Sequence, residues 1–61
     1  MDSRITALSP WQRIVYDLAW KVGASKDKEA AKELERMKKE RPEEFEEAFE
    51  VWVKIMYEVM Y

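Results

Sequence analysis

ERPEE, residues 40–44, is the stretch that decides the fold. A residue that precedes proline avoids helical geometry, so a helix arriving at Glu40 must break at Arg41. Proline itself suits the first position of a new helix, where its missing N–H leaves no bond unmade. Glu43 and Glu44 follow at the end of that helix that favours negative charge. The stretch is therefore a direct joint between two helices. One helix leads back through ASKDKEAAKELERMKKE, and the other runs forward through FEEAFEVWVKIMYEVMY.

Punctuation upstream has the same character. In SPWQ, Ser9 can cap, Pro10 can open a helix and Gln12 can close a capping box. Gly23 is the chain's one glycine, and a glycine there suits the left-handed residue that ends a helix. Ser25 reads as the cap of the next helix, with Asp27 and Glu29 in its first turn. The expected elements are helices over residues 10–22, 25–40 and 42–61, preceded by an arm over residues 1–8. In the arm, the alternation Arg4-Ile5-Thr6-Ala7 also permits a short extended piece, although there is no second strand for it to pair with. Loops this short make consecutive helices antiparallel neighbours. The expected fold is all-α: a single domain, an up-down-up three-helix bundle with a short N-terminal arm.

A helical wheel of about 100° per residue sorts the faces. In the first helix Trp11, Ile14, Val15, Leu18, Ala19 and Val22 share one broad face, which reads as core. Tyr16 and Trp20 stack four apart on the far side, beside Arg13. The second helix has a narrow stripe of Ala30, Ala31, Leu34 and Met37. Its other faces are charged, with Glu35 and Lys39 in the favourable order for an i,i+4 pair. In the third helix Phe45, Phe49, Trp52, Met56 and Val59 centre on the core side. Val51 and Ile55 flank one edge, and Val53, Tyr57 and Met60 the other.

A bundle core takes a stripe about three residues per heptad wide, and the end of the third helix offers more than that. If both edges face the same way, Arg13, Tyr16, Trp20, Val53, Tyr57 and Tyr61 make one aromatic protein-binding face. Trp, Tyr and Arg are the residues most enriched at binding hot spots, and large exposed apolar patches often mark such sites. The plainer alternative is that the N-terminal arm folds over these rings. A second alternative is a structural miniprotein without a partner, either monomeric or a homodimer through the third helix.

Composition narrows the chemistry. The 61 residues include no cysteine and no histidine, so disulfides, zinc held by Cys or His and catalysis by imidazole are excluded. Ser9 and Ser25 read as caps, and no cofactor, metal, small-molecule substrate or enzymatic activity is expected. The charges sum to −2, and the lysines are interleaved with acids, which argues against nucleic acid. Five glutamates precede residues 51–61, whereas interfacial helices favour Lys and Arg, so no membrane contact is expected. No apolar run approaches the roughly 20 residues of a membrane span. The amino end lacks the apolar stretch of a secretion signal, so the localisation expected on expression in a cell is cytoplasmic.

SPWQRIVYDL is similar to the opening helix of the DNA-binding domain of alkylguanine alkyltransferases, but that family's cysteine motif has no counterpart here. Over residues 9–61 the chain more closely resembles de novo designed three-helix miniproteins, including designed binders. The resemblance rests on SPWQ, on ASKDKEAAKELERMKKE, on the ERPEE joint and on the scarcity of glycine. It implies a helical bundle that occupies a chosen protein surface, with the tryptophans and methionines as the target-facing set.

Overall fold

At the ERPEE joint the computed structural model, which describes residues 3–60, turns the chain within one residue. Arg41 has φ −141° and ψ 77°, outside helical space. Its N–H donates to the Met37 carbonyl, and its own carbonyl accepts from Phe45 N–H at 2.9 Å. One residue thus ends helix α3 (Lys28–Glu40) and starts helix α4 (Pro42–Met60). The Arg41 guanidinium lies 5.3 Å from the Trp11 ring centroid, which ties the joint to helix α2 (Pro10–Ser25) by a cation–π contact. A single turn, α1 (Ser3–Thr6), precedes α2. The architecture is all-α, and no strand occurs among the described residues.

The start of α2 forms as its sequence dictates. Ser9 Oγ accepts from Gln12 N–H at 3.2 Å, and Gln12 Oε1 accepts from Ser9 N–H at 3.1 Å, which completes the capping box. The Gln12 side chain also donates through Nε2 to the Glu44 carbonyl at 3.1 Å. Gln12 is buried, and all three bonds are partly shielded from solvent. They hold the first turn of α2 beside the first turn of α4.

The far end of α2 departs from expectation. The helix runs through Gly23 to Ser25, three residues beyond Val22. Gly23 has no positive φ; the left-handed residue is Lys26, at φ 53° and ψ 41°. Asp27, not Ser25, caps α3: its Oδ1 accepts from Glu29 and Ala30 N–H. A carboxylate is as good an N-cap as a serine hydroxyl. Placed at Asp27, it leaves residues 24 and 25 free to extend α2. Gly23 serves close approach instead. A Cβ built there would lie 3.1 Å from Trp52 Cζ2, so a side chain at this position would press on the indole.

The interior is small. Val15, Ala19, Leu34, Met37, Phe45, Ala48 and Leu8 form the central buried cluster. The radius of gyration is 11.0 Å, close to the roughly 10.5 Å of a compact chain of this length. The molecule is nonetheless a slab, 28 × 24 × 15 Å. Most of the large rings lie half-buried along its faces, and Val15 is the one sizeable side chain fully enclosed among the described residues.

Packing also rotates two faces away from their expected orientation. On α2 the buried line is Gln12, Val15 and Ala19, and Ile14 is 52% exposed, although its helix position suggested core. On α4 the buried line is Phe45, Ala48 and Ile55, and Val59 is 71% exposed, although it too was expected inside. The stripe of α3 is as expected at Ala30, Leu34 and Met37, with Ala31 half-buried at its edge. The pair expected between Glu35 and Lys39 is not among the ion pairs; Arg36 reaches Glu33 instead.

The arm is a helical turn rather than an extended piece. Leu8 enters the central cluster, and the Arg4 guanidinium makes a forked bond to Glu58, 3.1 Å and 2.7 Å. The start of α2 lies beside Glu44, so reaching Glu58 takes the arm back along the slab by roughly 21 Å, the rise of 14 helical residues. Ile55, three residues before Glu58, is buried outside the central cluster.

Candidate functional site

Two of the expected binding residues meet as the i,i+4 spacing requires. Tyr16 and Trp20 lie edge to face, centroids 6.3 Å apart. They do not stand apart from the bundle, however. Trp20 meets Trp52 edge to face at 5.9 Å, Trp52 leans on Phe49 at 5.2 Å, and Phe49 stacks on Phe45 at 5.7 Å. The five rings form one chain across α2 and α4, with Tyr16 and Trp20 half-buried in it. Such pairs contribute about 0.5–1.5 kcal/mol each beyond area burial. The indole N–H of Trp52 is enclosed with no hydrogen-bond partner, an arrangement that costs about 1–3 kcal/mol.

The other expected residues lie elsewhere. Arg13 is exposed, Val53 is half-buried and Tyr57 is 55% exposed. On the α4 wheel Tyr57 sits about 140° round from Trp52, and Val53 about 100°. Trp52 is the residue that meets Trp20, so register turns Val53 and Tyr57 away from the ring chain. Tyr61 lies outside the described residues. The expected face is thus two surfaces: a ring chain between α2 and α4, and an apolar edge on the other side of α4.

That second edge continues into an open groove between α3 and α4 with a volume of about 530 Å³. Leu34, Phe45, Phe49 and Pro42 line it, with Glu35, Lys38 and Glu46 along its lips. Beyond the groove α4 carries Val53, Met56 and Met60, which continue the line of Phe49 at helical spacing. Met60 and Val59 are each 71% exposed. Sequence reasoning placed Phe49 and Met56 at the centre of the core. The sign that they lie at its edge is the narrowness of the α3 stripe, which is half alanine and too slim to cover both sides of α4.

The total accessible area is 4702 Å². A folded monomer of 7.4 kDa is expected to show about 4,200 Å². The observed area exceeds this by roughly a tenth.

Among the described residues no group of acidic side chains could hold a metal ion. Among them, no helix is long and apolar enough to cross a membrane. No family model, curated protein or solved structure matches the chain.

Proposed function

We propose that the chain is a non-enzymatic protein-binding module, built as an up-down-up three-helix bundle, and that its binding surface is the apolar edge of α4. The bonds between Gln12 and Glu44 at one level, and between Trp20 and Trp52 further on, support a parallel course for α2 and α4. The one-residue joint at Arg41 supports a reversal between α3 and α4. The observation that carries the reading is the exposure of Tyr57 and Met60, each above half, on the side of α4 that continues the open groove floored by phenylalanine. Patches of this kind on small soluble proteins mark interaction sites. Tyr16 and Trp20 act in this reading as the wall that fixes α4 against α2, with Arg13 at the rim. The resemblance to designed miniproteins is consistent with such a role, a chosen protein surface being the target.

The test uses a fluorescent apolar dye, anilinonaphthalene sulfonate. The folded protein, showing a single sharp melting transition, is expected to bind the dye. A Tyr57→Ser, Met60→Ser variant is expected to weaken that signal and keep its melting temperature. No dye binding by the wild type, or a large fall in melting temperature in the variant, would show that these residues are structural.

A further inference from the structure

Ile55 is buried, yet it stands outside the central cluster of buried side chains. Its cover therefore comes from elsewhere. On the α4 wheel Val51, Ile55 and Glu58 fall within one arc of about 60°. Glu58 is the residue that the Arg4 guanidinium grips with its forked bond. Ile5 follows Arg4 in the chain and is half-buried, although α1 is only four residues long.

We propose that residues 3–7 form a strap that closes over Val51 and Ile55 and is clasped at Glu58 by Arg4. The strap opens as a unit about Leu8 while the three long helices stay packed. Three features separate this opening from unfolding. The backbone bonds of the strap are internal: Ala7 N–H donates to the Ser3 carbonyl and Leu8 N–H to the Ile5 carbonyl, each at 3.1 Å. Leu8 is seated in the central cluster, so it anchors the root of the strap. The start of α2 is capped and tied to Glu44 by bonds that all begin at residue 9 or later.

The strap is held shut by the Ile5 side chain and by an ion pair whose side chains are 35% and 62% exposed. Exposed pairs contribute little, so the closed state is only lightly favoured. Few buried apolar contacts and solvent-exposed bonds are the traits of segments that open below the free energy of global unfolding. When open, the strap uncovers a flank of α4 in which Ile55 lies about 160° round from Tyr57. The strap is thus an autoinhibitory cover, and it decides whether α4 offers one apolar edge or two. The edge at Tyr57 and Met60 lies on the other side, so the strap stands whether or not that edge takes a partner.

Side-chain methyl NMR of the full chain with a soluble paramagnetic cosolute reads the opening. In the wild type the Ile55 methyls are expected to be protected nearly as well as that of Ala48. Glu58→Arg sets like charge on Arg4. It is expected to raise the open population, and with it the relaxation of the Ile55 and Val51 methyls, at least about threefold. Val15 and Ala48 should stay protected. Arg4→Glu combined with Glu58→Arg reverses the pair and is expected to restore the protection of Ile55. Arg4→Glu combined with Ile5→Ser removes both holds and should expose Ile55 most.

Ile55 as well protected in the Arg4→Glu/Ile5→Ser variant as in the wild type overturns the proposal, because another element then covers it. Exposure of Val15 and Ala48 in step with Ile55 also overturns it, because the strap then opens only with the bundle. A reversed pair that leaves Ile55 as exposed as Glu58→Arg alone overturns the clasp.

Discussion

Gly23 looks like a helix stop in the sequence, and glycine near a helix end usually is one. Here its missing Cβ serves Trp52. Replacing Gly23 with alanine should add about 0.8–1.0 kcal/mol of helix propensity. The new Cβ would lie 3.1 Å from Cζ2 of an indole already held between Trp20 and Phe49. Those two ring contacts oppose the few tenths of an ångström the indole would have to give, so Gly23→Ala is expected to leave stability unchanged or lower, by denaturant unfolding. In a Trp52→Phe background the smaller ring withdraws, and the same substitution should then stabilise by about 1 kcal/mol. A full gain in the wild-type background would show that the contact is soft. This role was not legible in the sequence, because it depends on a ring 29 positions away. Gln12 shows the opposite case. Its capping role is local and could be read from SPWQ. Its bond to the Glu44 carbonyl is long-range and could not.

At the scale of the helix, local chemistry was enough to place the joints and not enough to orient the faces. Pro10, Pro42 and the ERPEE break are each dictated by the ring of proline, and the structure has helix starts at both prolines. The end of α2 slid to Lys26 because Asp27 is an N-cap in its own right. The left-handed turn therefore falls on a residue with a Cβ, at φ 53°. Such a conformation strains ordinary L residues by about 1 kcal/mol, and glycine adopts it freely. Lys26→Gly is expected to raise stability by up to about 1 kcal/mol, read as a higher midpoint in urea; a clear loss would show that Lys26 makes a compensating contact. Face orientation was harder, because α2 has two apolar arcs. The arc of Ile14 and Leu18 has more residues, and the arc of Tyr16 and Trp20 has larger ones. The helix rotates to let Trp20 reach Trp52, and Ile14 is left 52% exposed.

For the whole molecule, the excess of apolar surface on α4 over what two partners can cover was legible from counting. A 13-residue α3, much of whose apolar stripe is alanine, cannot shelter both sides of a 19-residue α4. Which residues would be left out was not legible, since that depends on how α4 turns against α2 and α3. It turns Ile55 inward and leaves Val59 and Met60 outside. The same rotation splits the anticipated aromatic face, with Tyr16 and Trp20 drawn into the ring chain and Tyr57 on the open edge. The two edges have different energetic roles. Truncating the ring chain should lower stability, while truncating the open edge should leave it nearly unchanged.

That division is the central claim, and side-chain methyl NMR with a soluble paramagnetic cosolute tests it most directly, on protein dilute enough to be monomeric. The account predicts strong relaxation of the Val59 and Met60 methyls, intermediate effects at Val53 and Met56, and protection of Val15, Ala19, Ala48 and Ile55. Protection of Val59 and Met60 equal to that of Ala48 in the dilute monomer would contradict it.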